Sequence, residues 1–302
     1  MCFLEEQGRI DIILVNYNAK DDTIECVDSI LKSNYSCFRI IIVDNASDFI
    51  IYNELKCKYA EEKRVTLLRL EENLGFSGGN NIGIKYAQQG GAEYVLILNN
   101  DTTVKYDFLE RLIEVAQKQD DLYIMTGKIC YYDNPQKIWC AGGTYNKYKG
   151  TVVHNEHNFP SEQSNECREV DFICGCFWFM KCRDIEYIGY WPEEFFLYSE
   201  DLDYSLCAKE KGYKLLYIPQ SEIYHKVSAT TSKNSGQMQY YIIRNRFYVI
   251  CKRHKGIKKI SALIFSSFWC LKHIFNKSFE VKFAARAVYD VACGKMGRAE
   301  WM

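Results

Sequence analysis

Three carboxylates, Glu200, Asp201 and Asp203, stand within four positions of the chain at the start of a predicted helix. The preceding stretch, 191–197, is largely apolar. Hydrophobic surroundings raise the proton affinity of a carboxylate and suit it to general-base catalysis. Capping of the helix dipole is the alternative, but it would use only one or two of the three. We therefore expect a proton-accepting carboxylate here.

A second candidate is Asp101, which directly follows an apolar run and has no basic neighbour before Lys105. Mg²⁺ and Mn²⁺ prefer oxygen ligands and are often held by one or two carboxylates together with substrate phosphates. Asp101 therefore suits such a cation, the alternative being a turn aspartate before Thr102. His225 follows a later predicted strand and is a candidate second ligand, although a lone histidine is usually not a ligand.

The elements that must position these residues begin with four runs rich in Ile, Val and Leu: Asp11–Asn16, Arg39–Asp44, Val65–Leu70 and Tyr94–Asn99. They lack polar alternation, which is typical of strands buried on both faces. Helical patterns lie between and after them, including Asn80–Gln89 and Tyr106–Gln117. Strands that alternate with helices predict a parallel sheet and an α/β fold.

Polar segments follow all four units, at Asn16-Tyr17-Asn18, Asp44-Asn45-Ala46-Ser47, 73–81 and Asn99-Asn100-Asp101. One polar strand end is ordinary turn chemistry, but four at one edge favour a ligand crevice, which parallel sheets carry at the carboxyl ends of their strands. The glycines within 75–79 predict a loop whose backbone approaches the ligand. This loop matches neither the P-loop nor the dinucleotide fingerprint.

The pattern changes beyond residue 120. We predict a polar surface loop at 146–169 and a helical, basic, amphipathic tail from about residue 238. We also predict four further strands, at Tyr123–Ile129, Trp139–Thr144, Val170–Lys181 and Tyr213–Pro219. A short helix is predicted at Leu202–Lys211.

Charge is distributed unevenly, although the net charge is only −1. Between Arg244 and Arg298 there are 13 Lys and Arg residues, against Glu280 and Asp290 alone. A basic tail on an acidic body suggests an anionic partner, either a membrane or a nucleic acid. The aromatic residues of the tail fall among aliphatic ones rather than between basic ones, which favours a membrane surface.

The 14 cysteines show no framework of spacings, and no secretory signal opens the chain, so we expect reduced thiols and a cytoplasmic location, with peripheral contact on the inner face of the membrane. No segment has the roughly 18–20 apolar residues that span a bilayer.

Together, these motifs resemble family 2 glycosyltransferases of the GT-A fold, particularly bacterial rhamnosyltransferase-like members. The matching stretches cover about residues 10–250: Val15–Asn18, Val43–Ser47, Asn73–Asn81, Leu98–Asp101, Gly175, Ser199–Asp203 and His225. The resemblance implies a mixed, mostly parallel sheet flanked by helices. It also implies a catalytic domain at 1–237, with 238–302 left as a basic helical extension.

The resemblance also implies roles. Asp201 matches the catalytic base, Asp101 the last metal-binding aspartate of the DxD motif, and His225 a histidine near metal and diphosphate. The first DxD aspartate is replaced by Asn99, which puts the metal affinity in doubt. Asp44 matches the nucleoside contact. The residues expected to bind the donor are Asn16, Tyr17, Asn18, Asp44, Asn73, Gly75, Gly78, Gly79, Asn80, Asn99, Asn100 and Arg244.

The implied reaction is an inverting, Mg²⁺- or Mn²⁺-dependent transfer of a sugar from dTDP-rhamnose or a UDP-sugar to a hydroxyl during cell-surface polysaccharide assembly. A lipid-linked glycan is the expected acceptor and no nucleic acid is expected as a partner. Oligomeric state is left open, with a dimer among the options. Two alternatives stay open. One is a sugar-phosphate nucleotidyltransferase, which would require a basic, Gly-rich signature directly after the first strand, and residues 16–20 do not form one. The other is a non-enzymatic nucleic-acid-binding protein.

Overall fold

A computed structural model describes residues 8–119, 122–227 and 235–301. Strands and helices alternate through its first hundred residues. The elements are β1 (Ile10–Asn16), α1 (Lys20–Ile30), β2 (Phe38–Asp44), α2 (Phe49–Lys58), β3 (Val65–Arg69), α3 (Gly75–Gln89) and β4 (Tyr94–Leu98).

The four predicted apolar strands are confirmed, and they lie in parallel in the order β4-β1-β2-β3. Most side chains of β1, β2 and β4 are buried, because helices cover both faces of the sheet. Parallel pairing brings the carboxyl ends of these strands, and the polar segments that follow them, to one edge of the sheet.

Further strands and helices follow β4. They are β5 (Thr102–Val104), α4 (Phe108–Ala116), β6 (Tyr123–Tyr131), β7 (Ile138–Cys140), β8 (Gly143–Asn146), β9 (Thr151–His154), β10 (Arg168–Val170), β11 (Phe177–Lys181), α5 (Asp184–Ile188), α6 (Glu200–Glu210) and β12 (Lys214–His225). The main sheet follows the order β10-β12-β6-β11-β4-β1-β2-β3, and β11 runs antiparallel to both of its neighbours. The predicted mixed, mostly parallel α/β fold is confirmed.

Several boundaries differ from the predictions. The predicted strand Tyr213–Pro219 continues to His225, because a bulge between Ile218 and Glu222 takes Pro219 out of the ladder. This continuation carries His225 to the edge of the sheet where Asp101 lies. The predicted strand Val170–Lys181 is interrupted between β10 and β11, and the predicted loop 146–169 contains β9, which pairs with β8.

The predicted glycine loop is also corrected, because α3 begins at Gly75 and residues 75–79 form its first turns. A Cβ on Gly79 would lie 2.9 Å from the side chain of Val15, and one on Gly83 would lie 2.5 Å from that of Ile13. These glycines therefore allow α3 to pack closely on β1. Gly75 has a φ of +74°, a left-handed conformation that glycine adopts without strain.

Three helices form the end of the chain: α7 (Gly236–Arg253), α8 (Gly256–Phe275) and α9 (Val281–Ala292). They share an apolar cluster with residues 196–198, which ties them to the rest of the protein. The predicted division at residue 237 lies within the first turn of α7 and stays a prediction. None of the helices in the described ranges is long and apolar enough to cross a membrane.

Candidate active site

A cleft of about 600 Å³ lies at the carboxyl ends of the parallel strands. Its wall includes residues from β1, α3, β4, β12 and α7, from the loop after β2 and from the segment before α6. Seven of the predicted site residues line it: Tyr17, Asn73, Gly75, Asn99, Asn100, Asp101 and His225.

Asn16 and Asp44 lie just behind the wall rather than in it. Both are fully buried, and the Asn16 amide donates to Asp44 Oδ1 at 2.9 Å. Asp44 Oδ2 accepts hydrogen bonds from the Ser47 backbone at 3.3 Å and from Arg69 Nη1 at 3.1 Å. The carboxylate therefore holds the loop after β2 in shape, and Val15 and Tyr17 form the adjacent surface of the cleft.

Asn18 belongs to the same loop system and lies outside the lining of the cleft. It adopts a left-handed φ of 54°, its backbone N–H donates to Ser47 Oγ at 2.9 Å, and its side-chain oxygen accepts from the Asp48 backbone at 2.8 Å. Asn18 thus fixes the loop that carries Tyr17.

A chain of hydrogen bonds joins the next strand end to α3. The Asn45 amide donates to Asn73 Oδ1 and to the Gly75 carbonyl, both at 3.0 Å, and Asn45 Oδ1 accepts from the Leu74 backbone at 2.9 Å. A Cβ on Gly75 would lie 2.4 Å from the Phe196 carbonyl oxygen, so this position has no room for a side chain. Asn45 was not selected as a site residue from the sequence, although it stands within the same polar segment as Asp44.

Gly78, Gly79 and Asn80 lie outside the lining of the cleft, and their role in donor binding stays a prediction. All three are buried in the first turns of α3. The Asn80 amide donates back to the Phe76 carbonyl at 2.9 Å. These residues support the packing of α3 on the sheet.

Asp101 and His225 meet where β4 ends and β12 ends. His225 Nε2 lies 3.0 Å from Asp101 Oδ1 and 3.4 Å from the Asn99 side-chain amide. The indole ring of Trp139 packs edge-on against the imidazole at 4.6 Å between centroids. Asn100 turns away and donates to Thr23 Oγ1 at 2.8 Å. The sequence-predicted pair is therefore brought together.

This arrangement fits a divalent cation. Adjacent ligands of an octahedral Mg²⁺ bound at 2.0–2.1 Å are about 3 Å apart, which matches the separation between Asp101 and His225. In the described parts of the chain, no group of three or more His, Cys, Asp or Glu side chains is arranged to hold a metal. The remaining ligands would have to come from the Asn99 amide, water and the substrate phosphates, as is usual for Mg²⁺.

Asp201 stands at the start of α6, beside the cleft. Its Oδ2 accepts a hydrogen bond from the Gly175 backbone at 3.0 Å, and its Oδ1 accepts from the Leu202 backbone at 2.8 Å. A Cβ on Gly175 would lie 3.4 Å from the ring of Phe76, which lines the cleft. Asp201 therefore approaches the cleft behind Phe76, and burial raises the pKa of Asp201 to about 7.

The structure distinguishes the three neighbouring carboxylates. Asp203 is buried and accepts hydrogen bonds from Lys252 at 2.7 Å and from Arg253 at 2.6 and 2.8 Å, so it anchors α7. Glu200 Oε2 is buried without a hydrogen-bond partner, and burial and the charge of Asp201 raise the pKa of Glu200 to about 8. Only Asp201 combines a raised pKa with a position beside the cleft.

The segment just before Asp201 is strained. Phe196, Tyr198 and Ser199 all have φ values between 65° and 69°, which cost free energy in residues other than glycine. Asn245 of α7 holds this segment, because its amide donates to the carbonyls of Leu197 and Tyr198 at 2.7 Å each. The same amide also donates a longer hydrogen bond, of 3.2 Å, to the carbonyl of Phe195.

Arg244 lies outside the lining of the cleft, and its place in the donor site stays a prediction. It is buried and donates to the carbonyls of Phe195 at 2.8 Å and Gly297 at 2.7 Å. Arg298 lines the cleft instead and was missed, because nothing in the local sequence separates it from the other basic residues of the tail. The other lining residues that were not predicted as site residues are Val15, Ala19, Phe76, Leu98, Phe196, Leu197, Tyr198, Val227, Gln237 and Met238.

Comparison with known proteins supports a common assignment. Residues 11–189 match the model of Glycosyl transferase family 2. The chain is 25% identical over 263 residues to the dTDP-rhamnosyl transferase RfbF of Shigella flexneri, covering 82% of this chain and 81% of that protein. It is 24% identical to the low-salt glycan biosynthesis hexosyltransferase Agl10 of Haloferax volcanii, covering 96% and 92% of the two chains. It is also 22% identical to the rhamnosyltransferase WbbL of Escherichia coli K12, covering 71% and 82%.

Solved structures share the fold at lower identity. The crystal structure of GalNAc-T7 with UDP, GalNAc and Mn²⁺ superposes with a TM-score of 0.65 at 15% identity, covering 96% of this chain and 58% of that longer one. The mannosyltransferase PcManGT of Pyrobaculum calidifontis, in complex with GDP-Man and Mn²⁺, superposes with a TM-score of 0.56 at 16% identity, covering 96% and 76%.

Proposed function

The chain belongs to glycosyl transferase family 2, and we propose that it transfers a sugar from a nucleoside-diphosphate donor to an acceptor hydroxyl with inversion at the anomeric carbon. The donor is dTDP-rhamnose or a UDP-sugar, and the product belongs to a cell-surface polysaccharide. Similarity to RfbF and WbbL supports rhamnose as the first sugar to test.

One observation carries the proposal: two consecutive residues, Gly175 and Cys176, connect the candidate base to Asn99, which lies two residues before Asp101. The Gly175 backbone donates to Asp201, and the carbonyl of Cys176 accepts from the Asn99 backbone at 3.0 Å. Residues 175 and 176, just before β11, thus link the candidate base to the strand end that carries the candidate leaving-group site. An inverting displacement needs both groups at one sugar.

The proposed mechanism assigns separate work to these residues. Asp201 accepts the proton of the acceptor hydroxyl as that oxygen attacks the anomeric carbon, and a positioned base contributes about 10²–10⁴-fold. Asp101 and His225 would hold Mg²⁺ or Mn²⁺, which would supply Lewis-acid stabilisation to the nucleoside diphosphate as it leaves the sugar. Val15, Tyr17 and the loop that Asp44 supports receive the nucleoside.

The donor is tested by incubating the protein with dTDP-rhamnose, UDP-glucose or UDP-N-acetylglucosamine and a polyprenyl-linked sugar acceptor, with Mn²⁺ or with EDTA. Proton NMR of the product reads the anomeric configuration. Product with the donor's configuration would overturn the inverting mechanism. Release of pyrophosphate from a nucleoside triphosphate and a sugar phosphate, with no sugar transfer, would favour the nucleotidyltransferase alternative.

A lipid-linked acceptor is the second part of the proposal, and α8 supports it. The face of α8 that packs on the protein carries small residues, namely Ala262, Ser266 and Cys270. Of its large apolar side chains, Leu263, Trp269 and Ile274 are partly buried against the C-terminal cluster, whereas Phe268 is 68% and Phe275 85% accessible. The others on this exposed face are Ile257, Ile260, Ile264, Phe265 and Leu271.

An anionic bilayer is the occupant that we propose for this face. Basic residues flank it at Lys255, Lys258, Lys259, Lys272 and Lys277. A helix with an apolar face and flanking cations binds in the membrane interface, and each basic residue near an anionic leaflet contributes about 1 kcal/mol.

Flotation with vesicles that contain phosphatidylglycerol tests this proposal. The wild type should float at low salt, and a Lys258→Glu, Lys259→Glu, Lys272→Glu variant should not. A matched control, Lys56→Glu, Lys63→Glu, Lys118→Glu, changes the charge equally away from α8 and should float. If the wild type stays in solution, or dimerises through α8 in sedimentation experiments, the membrane proposal is wrong.

A further inference from the structure

We infer that Arg298, supplied by the last residues of the chain, binds the diphosphate of the donor. The inference rests on the proposed function and extends it, since the family match ends at residue 189.

Arg298 is exposed within the cleft that also contains Asp101 and His225. Among the described residues that line the cleft, Arg298 is the one lysine or arginine side chain. Across the described ranges, no carboxylate forms an ion pair with Arg298, and its guanidinium lies 5.8 Å from the centre of the Phe196 ring. An unpaired arginine facing a cleft is a candidate anion-binding group.

The backbone on both sides of Arg298 is fixed by long-range hydrogen bonds. The Gly297 N–H donates to the Glu194 carbonyl at 2.7 Å, and Arg244 donates to the Gly297 carbonyl at 2.7 Å. The Ala299 N–H donates to the Tyr241 hydroxyl at 2.9 Å. These three hydrogen bonds, made by Gly297 and Ala299, fix the position of Arg298 in the fold. Because Arg244 donates one of them, it acts as a positioning residue.

The chemistry of the leaving group calls for such a cation. The diphosphate gains one negative charge when the bond to the sugar breaks, so groups that bind the leaving nucleoside diphosphate stabilise the transition state. Asn99 stands where a second metal-binding carboxylate would otherwise stand. Arginine binds phosphate oxygens in a bidentate fork and keeps its charge at every working pH. Arg298 therefore shares the stabilisation of the diphosphate with the Asp101–His225 pair.

Calorimetric titration with UDP, dTDP, uridine and thymidine in the presence of Mn²⁺ tests this inference. Charge-assisted hydrogen bonds predict that Arg298→Ala weakens the binding of the preferred nucleoside diphosphate about 10- to 100-fold. The affinity for the matching nucleoside should not change. Arg298→Lys should restore part of the affinity. Arg183→Ala removes an exposed arginine just before α5 and should bind these nucleotides as the wild type does.

Equal affinity of Arg298→Ala and wild type for the nucleoside diphosphate would overturn the inference, and so would an equal loss for diphosphate and nucleoside. An unchanged nucleoside diphosphate affinity with a raised KM for the acceptor would assign Arg298 to the acceptor instead. If the wild type binds none of these nucleotides, the proposed function itself fails, which is a distinguishable result. Equal melting temperatures for the variants verify that the tail stays in place.

Discussion

Substituting Asn245 tests whether the C-terminal helices hold the segment that precedes the candidate base. Asn245 is fully buried, and its amide makes two hydrogen bonds of 2.7 Å to the strained segment 195–199. Its Oδ1 accepts from Arg244 Nε at 2.9 Å. Asn245→Ala removes these bonds and leaves buried carbonyls without donors.

The magnitude follows from the number of bonds. Each hydrogen bond contributes about 0.5–1.5 kcal/mol, so the two short ones and the bond to Arg244 together account for about 2–4 kcal/mol. A loss of 1 kcal/mol lowers the melting temperature by roughly 2–4 °C in a large domain. We expect a decrease of about 5–15 °C, together with a fall in kcat, because Tyr198 and Ser199 can then relax from left-handed conformations and displace Asp201.

Calorimetry and steady-state kinetics measure the two effects. Asn245→Asp keeps the side-chain volume but replaces the donor with an oxygen, so it should be at least as damaging as Asn245→Ala. Asn276→Ala alters an exposed asparagine at the end of α8 and serves as the control. If Asn245→Asp melts within about 2 °C of the wild type and retains its kcat, the segment does not depend on this contact and the reasoning is refuted.

Further predictions concern the carboxylates and the cation. Asp201→Asn should lower kcat about 10²–10⁴-fold while UDP or dTDP affinity by calorimetry stays within about twofold, and near-normal turnover between pH 6 and 9 would exclude Asp201 as the base. Since the pKa of Asp201 is raised to about 7, wild-type activity should rise with pH through about 7 as the carboxylate forms; a flat rate profile from pH 5.5 to 8.5 would contradict this. The pKa of Glu200 is raised by burial from 4.5 to about 8, so the folded state holds a proton that the unfolded chain releases, and this contribution to stability is lost as pH rises between those values. Glu200→Gln should therefore raise the melting temperature relative to wild type at pH 8.5 but not at pH 4.5, and an equal effect at both values would be inconsistent with the shift. Asp101→Ala should weaken donor binding in Mn²⁺ much more than in EDTA, and wild-type activity that EDTA leaves unchanged would rule out the metal.

Much of the fold was predictable because its signals are local. The runs at Ile10–Asn16 and Phe38–Asp44 are apolar without alternation, and a chain segment of that kind is stable only when both of its faces are covered. Once strands of this kind are parallel, the positions of Asp101 and Asn99 follow, because parallel strands end at one edge. The sequence also predicted His225 as a candidate ligand after a strand, although β12, which ends at His225, contains Pro219.

Local pattern could not assign roles among residues of the same type. Glu200, Asp201 and Asp203 are nearly adjacent, yet one is an unpaired buried acid, one lies beside the cleft and one is paired with Lys252 and Arg253. Their environments are made by residues up to 50 positions away, as the bond from Arg253 to Asp203 illustrates. Solvation and partner charges, which decide protonation, belong to the tertiary structure.

The two arginines of the tail give the clearest case. The basic and helical character of the tail was evident from its sequence. Arg244 was expected at the donor site, but it is buried and supports the loop, whereas Arg298 lines the cleft. Their positions depend on hydrogen bonds to Phe195 and Glu194, about 50 and 100 residues away along the chain. No periodicity encodes contacts of that kind, because they form only when the helices pack on the completed sheet.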